Sequence, residues 1–310
     1  MYAPEKSYKK EIFELIAATW DSPYISVSKD TYSIFEKKFS YPEVDHTDGI
    51  GTKGMYHWKA RTFRSAVIDA LAMNLNDLAL VRAVPYKMQN HIVLPADDHG
   101  AILEIVRALV EESKKRTIAI TGGETSIHEG GEMDISNTMS GFVKNRKPNA
   151  MQVGDVLIGI ASSGLHSNGF TRVREKFGDE VRKEFTEPTA IYLETTLDIN
   201  SRFDIHGMMH ITGGAFTKLK DVLDGADAEM YRDYLLQPQE IFKELYRRGV
   251  SDEEMYTIFN CGIGFILSAS KADADRIVRE VEKSAIIGRV VAGTGKVKIE
   301  SVFSDKKIEF

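Results

Sequence analysis

The stretch TDGIGTK, residues 47–53, decides how the rest of this sequence is interpreted. It follows an apolar-leaning stretch at 41–44 that predicts a short strand. Asp48 offers the carboxylate oxygens that Mg²⁺ prefers, and Lys53 offers a point charge for phosphate. Two glycines between them let the backbone approach a ligand closely. The residues alone leave a second interpretation open, an ordinary turn closed by an exposed lysine.

A helix with acids on an apolar face is predicted at residues 63–81. Apolar residues recur there at helical spacing, namely Phe63, Val67, Ala70, Leu71, Leu75 and Leu78. Asp69 and Asn76 are seven positions apart and share nearly one azimuth, with Asp77 one position round. Acids on such a face are costly to bury unless they are paired or bound to a metal. A site and a solvated polar stripe are both consistent with this pattern.

Two further segments combine a predicted strand with small polar residues. TGGET, residues 121–125, follows a β-branched stretch at 117–120 and would present the Glu124 carboxylate at a sheet edge, although it is equally typical of a plain turn. ASSGLHSNG, residues 161–169, lies between an apolar strand at 156–160 and a predicted helix. The start of that helix suits an anion such as a ribose phosphate, and the alternative is a simple cap made by Ser or Asn.

These segments, in this order, resemble the aminoimidazole ribonucleotide synthetase superfamily of ATP-using enzymes. Later segments are similar to the phosphoribosylformylglycinamidine cyclo-ligase family within it: EPTAIY at 187–192, HITGG at 210–214, EMY at 254–256 and FNCGIG at 259–264. The resemblance spans about residues 41–265. Several such motifs in family order carry far more weight than one.

The resemblance implies an ATP-dependent cyclo-ligase of de novo purine biosynthesis. The expected reaction converts formylglycinamidine ribonucleotide and ATP into aminoimidazole ribonucleotide, ADP and phosphate. The expected cofactors are ATP and Mg²⁺, the expected location is the cytoplasm, and a homodimer is expected. The alternatives are another phosphoryl-transfer enzyme of the superfamily or a non-catalytic nucleotide-binding paralogue.

The same resemblance assigns roles to individual residues. The catalytic candidates are Asp48, Lys53 and His166. The nucleotide-binding candidates are Asp48, Gly49, Gly51, Thr52, Lys53, Asn76, Asp77, Gly122, Gly123 and Glu124. The metal candidates are Asp48, Asp77 and Glu124, with Asp69 and Asp134 as weaker ones. The substrate candidates are Ser162, Ser163, His166, Ser167, Asn168 and Gly169, with His166 also a candidate for proton transfer.

The chain also departs from the family pattern. Residues 1–40 are charged and glycine-free, whereas relatives carry a longer segment with a glycine and a lysine that help to enclose the nucleotide. Ala215 stands where the family has a third glycine, and a few residues are inserted between Asp134 and Ser140. Selenophosphate synthetases and hydrogenase-maturation relatives use a reactive cysteine near one terminus, but the single cysteine here is Cys261, in an apolar strand-like context that predicts a buried thiol.

Composition limits the class of protein. The 310 residues are 43% hydrophobic and 28% charged, as in soluble globular proteins. A net charge of −6 without a basic, aromatic-interleaved run argues against nucleic-acid binding, and no apolar stretch predicts a membrane span. One cysteine excludes an intrachain disulfide.

The predicted fold class is α/β (α+β), with two mixed α/β domains. A polar, proline-bearing linker at 144–149 places an ATP-binding and dimerisation domain at 1–147 and a substrate-binding domain at 148–310. The strand–helix–strand pattern at the end of the chain predicts an α/β sandwich. The resemblance further implies that the first-domain sheets of two subunits pair into a barrel.

Overall fold

The computed structural model describes residues 8–310. Contacts between Cα atoms divide the chain into two compact units. The first comprises Met1–Leu78 and Ala83–Asn145, and the second comprises Ala79–Arg82 and Arg146–Phe310. The boundary predicted after residue 147 lies close to the observed one. The inclusion of Ala79–Arg82 in the second unit is a tertiary feature that composition does not indicate.

The first unit contains four helices and six strands in its described part. The helices are α1 (Lys9–Ala17), α2 (Lys53–Ala60), α3 (Phe63–Leu80, whose last two residues belong to the second unit) and α4 (His99–Lys115). The strands are β1 (Ile25–Lys29), β2 (Ser33–Lys37), β3 (Glu43–Gly49), β4 (Val84–Leu94), β5 (Ala119–Ile127) and β6 (Asp134–Phe142).

Local sequence explains the two long helices. Oδ1 of Asp98 accepts a hydrogen bond from the Ala101 N–H at 2.9 Å, so the N-terminus of α4 is capped, and two lysines occupy its last turn, where the helix dipole favours cations. The apolar face predicted for α3 is buried along its length. Among residues 8–310 no helix is both long and apolar enough to cross a membrane.

The main sheet of the first unit has the strand order β3-β6-β4-β5. Strands β3 and β4 pair antiparallel with β6, and β5 pairs parallel with β4. Successive side chains alternate between the two faces of a strand. Met88, Ile92 and Met139 are buried on one face, and Ser113 of α4 contacts Met88, so the helices cover this face. The other face carries polar side chains such as Thr47 and Thr138.

Two predicted strand ends are wrong. Strand β3 continues through Gly49, so Asp48 lies within the strand instead of after it. Strand β5 continues through both glycines of TGGET to Ile127, so these residues form part of the sheet instead of a turn. Hydrogen bonds to the neighbouring strands extend both elements, an effect of tertiary pairing that local propensity does not contain.

Helix α2 approaches the chain before β6 very closely. A Cβ atom at Gly54 would lie 1.9 Å from the carbonyl oxygen of Met133. Only glycine permits this approach, directly after Lys53 at the start of the helix. The contact holds α2 against the end of the sheet that carries Asp48 and Gly49.

Residues 8–40 form a helix and a hairpin without any glycine. Helix α1 packs on α4 and β5, and β1 pairs with β2 in a two-stranded antiparallel sheet. The indole N–H of Trp20 donates to the carbonyl of Ile120 at 2.8 Å. Ile25 joins Tyr86, Ala119 and Phe142 in a buried cluster flanked by further aromatic side chains.

The second unit contains six helices, seven strands and two short 3-10 turns. The helices are α5 (Phe170–Phe177), α6 (Leu193–Arg202), α7 (Lys220–Leu223), α8 (Glu240–Arg247), α9 (Asp252–Ile258) and α10 (Lys271–Glu280). The strands are β7 (Val156–Ala161), β8 (Ile205–His210), β9 (Asp227–Met230), β10 (Ile263–Ala269), β11 (Ser284–Val291), β12 (Val297–Glu300) and β13 (Lys307–Glu309).

The seven strands form one mixed sheet in the order β13-β12-β9-β11-β7-β10-β8. Every residue of β10 is buried, as expected for a central strand. Helix α10 packs on β7, β10 and β11, so the strand–helix–strand ending of the predicted α/β sandwich is confirmed. Most pairs are antiparallel, and β9 with β12 is parallel.

Cys261 lies in the turn between α9 and β10 instead of in the predicted strand. Its φ is 48°, and its side chain is fully buried. Burial raises the pKa of its thiol well above the ordinary value, which keeps the thiol protonated. The prediction of a buried core thiol is confirmed.

Arg82 anchors the short Ala79–Arg82 segment within the second unit. Its Nε donates to Oδ1 of Asn200 at 2.7 Å, and its Nη2 donates to the carbonyl of Ile205 at 3.1 Å. A third bond joins Nη1 to the carbonyl of Lys147 at 3.3 Å. One arginine therefore supplies donors to three separate segments of this unit.

Candidate functional site

A row of polar residues crosses the helix-covered face of the four-stranded sheet. Asp48 of β3 pairs with Asn137 of β6, which pairs with Asn90 of β4, which pairs with Gly123 of β5. Residues paired directly across neighbouring strands share a face. A Cβ at Gly123 would lie 2.7 Å from Oδ1 of Asn90, so the glycine leaves space for that amide.

Helix α3 places more polar groups beside Asp48. Nδ2 of Asn74 donates to the carbonyl of Asp48 at 3.2 Å, and Oδ1 of Asn74 lies 3.0 Å from Nδ1 of His46. The other ring nitrogen of His46 is 3.2 Å from Oδ2 of Asp77. The hydrogen bond to Asp77 raises the pKa of His46 despite partial burial, and the charge of Asp48 acts in the same direction. Asp48 and Asp77 thus both stabilise the protonated form of His46.

A fully buried ion pair joins α2 to α3. Nζ of Lys53 donates to Oδ1 of Asp69 at 2.8 Å, and Nε2 of His57 lies 2.7 Å from Oδ2. A carboxylate only accepts, so Nε2 of His57 carries the proton. Burial on its own would raise the pKa of Asp69, but the charge of Lys53 and the bond from His57 outweigh it and lower that pKa well below its ordinary value. The pair is thus ionised and nearly neutral overall.

The placement of Lys53 differs from that of a phosphate-binding lysine. Its side chain is fully buried, and its charge is compensated by Asp69, a candidate metal ligand of the sequence analysis. Contact with a phosphate would require this ion pair to open. In the present structure the Lys53–Asp69 pair instead stabilises the C-terminal end of the TDGIGTK segment.

The three predicted metal ligands are not brought together. Glu124 pairs with His91, one residue out of step with Gly123, and Nε2 of His91 lies 3.0 Å from Oγ of Ser126. Strand alternation therefore directs Glu124 to the face opposite Asp48. Within residues 8–310 no group of three or more His, Cys, Asp or Glu side chains is arranged to hold a metal.

The remaining nucleotide candidates lie around the same end of the sheet. The N–H of Gly51, which has a φ of 53°, donates to Oδ1 of Asp134 at 3.1 Å, so the weaker metal candidate Asp134 holds the turn. Thr52 precedes α2 without a side-chain cap bond, and Asn76 is fully buried in α3. Gly49 ends β3 and accepts no side chain without crowding Ser136.

A small cavity of about 80 Å³ opens beside the two glycines of β5. Ile12 and Ile16 of α1 form part of its wall, together with Asn90 and apolar residues of β4, α4 and β5. Gly122 and Gly123 line it directly. The glycine-free N-terminal region thus covers the glycines of TGGET with an apolar helix.

The second predicted site, residues 162–169, is a tightly bonded loop before α5. Gly169 with a φ of 73° occupies the N-cap position, and no side chain caps the helix, so the alternative of a Ser or Asn cap is wrong. Asn168 instead donates through Nδ2 to the carbonyl of Ile258. The side chains of Ser163 and Ser167 bond to the Pro188 carbonyl and the Thr189 hydroxyl of the EPTAIY segment.

His166 supports this loop from inside. Only 1% of it is exposed, and its φ is 60°. Its Nε2 accepts hydrogen bonds from the N–H groups of Ser163 at 3.1 Å and Ala190 at 3.5 Å. An acceptor nitrogen is unprotonated, so this imidazole is neutral in the observed arrangement. The geometry gives His166 a positioning role for Ser163.

A cavity of about 480 Å³ adjoins the same loop. Ser163 and Gly164 form one wall. The rest is lined by Lys183, Glu184, Glu187, Gln239, Glu240 and Ile241. Nε2 of Gln239 donates to the carbonyl of Ser162 at 2.7 Å, which ties this wall to the start of the loop.

Two family models match most of this chain. Residues 40–143 match the AIR synthase related protein N-terminal domain, and residues 152–300 match the C-terminal domain of the same family. The phosphoribosylformylglycinamidine cyclo-ligase of Saccharolobus solfataricus is 33% identical over 304 residues, which cover 94% of this chain and 91% of the relative. The chain belongs to the AIR synthase family. The cyclo-ligase of Clostridium perfringens is 35% identical, with 81% of each chain covered.

Solved structures share the AIR synthase fold with this family member. Thiamine-monophosphate kinase from Stenotrophomonas maltophilia superposes with a TM-score of 0.68 at 18% identity, covering 98% of this chain and 99% of the kinase. The hydrogenase maturation protein HypE in complex with ATP gives a TM-score of 0.68 at 16% identity, covering 99% and 95%. At these identities the likeness concerns the fold alone.

Four polar residues of the first site of this AIR synthase family member are not predicted from the sequence: His46, Asn74, Asn90 and Asn137. Asn74 and Asn137 are buried at positions where the pattern calls for apolar side chains. Asn137 follows Ile135 and precedes Met139 at a spacing of two, which is a readable signal of a polar residue on a core face.

Replacing Asp69 by Asn should strongly destabilise the first unit. The substitution removes the charge that compensates the buried Lys53, and breaking a buried pair costs about 3–5 kcal/mol. Urea unfolding would measure the change. Asp275→Asn is the matched control, because Asp275 forms an exposed pair with Lys271 worth roughly 0.3–0.5 kcal/mol. Equal effects of the two substitutions would contradict a structural ion pair at Asp69.

The same pair sets a pH dependence. The pKa of Asp69 is lower in the folded chain than its ordinary value of 3.8. A carboxyl group of this kind contributes stability that is fully present above that value and is lost as the pH falls below it. In the Asp69→Asn variant this portion of the acid-induced loss should vanish.

Replacing His166 by Ala should lower the stability of the second unit. The N–H of Ser163 would lose its buried acceptor, a change worth roughly 1–3 kcal/mol. Thermal and urea unfolding would detect it, with the exposed His128→Ala as the control. An unchanged melting temperature would show that His166 does not support the loop.

Proposed function

We propose that this chain catalyses the ATP-dependent cyclisation of formylglycinamidine ribonucleotide to aminoimidazole ribonucleotide, ADP and phosphate, a step of purine biosynthesis. The observation that carries the proposal is the 33% identity to a protein named phosphoribosylformylglycinamidine cyclo-ligase along 94% of the chain. Both units contribute to that similarity, since family matches cover residues 40–143 and 152–300. ATP, the nucleotide bound to HypE in a solved relative, is the proposed cosubstrate.

The first unit is the proposed nucleotide site. Asp48 and Asp77 supply carboxylate oxygens near His46. These donors fit Mg²⁺, which needs only one or two carboxylates because it keeps waters and phosphate oxygens as ligands. When bound, Mg²⁺ would neutralise triphosphate charge. The other proposed contacts come from Gly49, Gly51, Thr52, Asn76, Gly122, Gly123 and Glu124.

The chemistry needs activation of an amide oxygen, which is a poor leaving group. Transfer of the γ-phosphoryl group of ATP to that oxygen forms a phosphorylated amide and releases ADP. An internal nitrogen of the substrate then attacks the amide carbon, the carbon–oxygen bond breaks, and phosphate leaves with one proton released. Such reactions depend mainly on positioning and charge neutralisation. The principal contribution of α3 is therefore to hold Asp48 in place.

The loop at 162–169 is the proposed substrate-binding element. Ser163 borders the cavity of about 480 Å³, and its N–H is fixed by His166. Ser167 and Asn168 hold the loop against Thr189 of EPTAIY and the Ile258 carbonyl. The Ser162 carbonyl accepts from Gln239, and Gly169 leaves space for the Phe259 ring. His166 thus acts through Ser163 by positioning, and a direct proton-transfer role would require it to leave its buried site.

Two rival functions remain testable. Thiamine-monophosphate kinase and HypE share the fold at 18% and 16% identity, so another phosphoryl-transfer reaction is the first. A non-catalytic nucleotide-binding paralogue is the second. The presence of Asp48, Asp77 and Glu124 together favours catalysis, because a protein that only bound nucleotide would have little need of all three carboxylates.

The wild-type protein should release ADP in a manner that depends on formylglycinamidine ribonucleotide and Mg²⁺. Asp77→Asn keeps the size of the side chain but removes its charge, so kcat/KM should fall by about two orders of magnitude or more, equivalent to losing charged contacts of some 3 kcal/mol. A coupled ADP assay measures both. Asp275→Asn should retain full activity. Turnover that does not require this substrate would point to another superfamily reaction.

We further propose a homodimer formed through the first unit, in the cytoplasm. Strands β3 and β5 are the terminal strands of the four-stranded sheet, and such edges are commonly covered in assemblies. Pairing of two sheets into a barrel would bury them. Sedimentation velocity at micromolar concentration should give a dimer, and a single monomeric species would contradict the shared barrel.

A further inference from the structure

Asn137 is a buried residue whose side-chain amide has no hydrogen-bond partner among residues 8–310. Its side chain lies in the central part of the four-stranded sheet, and 1% of the residue is exposed. Neither Nδ2 nor Oδ1 has a partner among the residues that the structure describes. Buried amides are almost always bonded, because leaving them unpaired costs stability. The residue therefore satisfies a requirement other than that of the unliganded fold.

The neighbours of Asn137 along its strand make an asparagine unexpected. Ile135 and Met139 occupy the adjacent positions of the same face and are fully buried. A leucine at position 137 would continue this apolar surface with the same branching at Cγ. Other buried asparagines are paired: Asn74 bonds to His46 and to two carbonyl groups, and Asn260 bonds to Gly164.

The neighbours across the sheet indicate what Asn137 serves. It lies directly between Asp48 and Asn90 in the polar row. Asn90 in turn lines the small cavity beside Gly123. The unpaired Asn137 amide therefore lies between the Asp48 carboxylate, which suits a cation, and the glycine backbone that lines the cavity.

We propose that Asn137 contacts the metal–phosphate part of the bound nucleotide. Oδ1 would serve as an oxygen donor toward the cation held by Asp48, and Nδ2 would donate to a phosphate oxygen. A carboxamide is the side chain that offers both functions without adding negative charge. The inference rests on the proposed function of the first unit, and it extends the site to the middle of β6, a strand that otherwise carries only the weaker metal candidate Asp134 at its start.

The substitution Asn137→Leu separates this role from a structural one. An apolar isostere removes the unpaired buried amide, so the unliganded protein should melt roughly 2–4 °C higher. Affinity for Mg²⁺ with a non-hydrolysable ATP analogue should fall about 10- to 100-fold by calorimetry, the range expected for hydrogen bonds to charged groups. Opposite changes in stability and affinity are the expected result.

Two controls bracket the measurement. Asn74→Leu removes an amide that is bonded in the same unit, so it should lower the melting temperature. Met139→Leu exchanges similar volumes on the same strand face, so it should change the affinity by less than about twofold. An Asn137→Leu variant that melts higher but binds the analogue as tightly as the wild type would overturn the proposal.

Asn137→Asp provides a second route if the leucine variant does not fold. It keeps the oxygen donor and places a second carboxylate beside Asp48, so binding of the analogue without Mg²⁺ should weaken more than tenfold, by about 1.4 kcal/mol or more. Unchanged metal-free binding would overturn the contact. Substrate-dependent ADP release by the wild type tests the cyclo-ligase separately. If the Asn137 variants lose analogue binding and the wild type fails the ADP assay, the Asn137 contact is upheld and the cyclo-ligase reaction is refuted. If the wild type binds no analogue, both are refuted.

Discussion

The buried ion pair between Lys53 and Asp69 is the interaction on which the first site depends. It fixes the start of α2 against α3, and Gly54 allows the same turn of helix to press on the Met133 carbonyl. The TDGIGTK segment between these anchors has little freedom left. Asp48 is thereby held in register, while Asn74 of α3 bonds to its carbonyl. The sequence predicts that the charge of Lys53 binds phosphate. In the structure this charge pairs with Asp69 and stabilises the TDGIGTK segment.

The alternation of side chains along the sheet is the second constraint. It gathers Asp48, Asn137 and Asn90 on the helix-covered face and directs Glu124 to the other one. A single nucleotide could therefore contact all four residues only if it reached around an edge of the sheet or if strand β5 shifted. Two glycines at that position of β5 give the strand the freedom to do so.

Much of the fold could be predicted because it is written in local patterns. The apolar period of α3, the Asp98 cap of α4 and the burial of Cys261 all follow from nearby residues. The extension of β3 through Asp48 and of β5 through TGGET depends on partner strands far along the chain. The sequence predicts that Asp69 needs a partner, because an acid on an apolar helix is costly to bury alone. No local pattern identifies Lys53 as that partner. Burial of His166 likewise arises from the packing of distant segments.

Arg82 gives the second unit a composition that a linear view of the chain hides. This unit is assembled from Ala79–Arg82 and Arg146–Phe310, and the arginine supplies donors to Asn200 and to the Ile205 carbonyl. A fragment beginning at Arg146 would lack those donors, and the acceptors would bond to water instead. The second unit therefore has its full set of hydrogen bonds only when Ala79–Arg82 is present, so an excised domain would need both segments. Its autonomy is lost to four residues that lie more than sixty positions upstream.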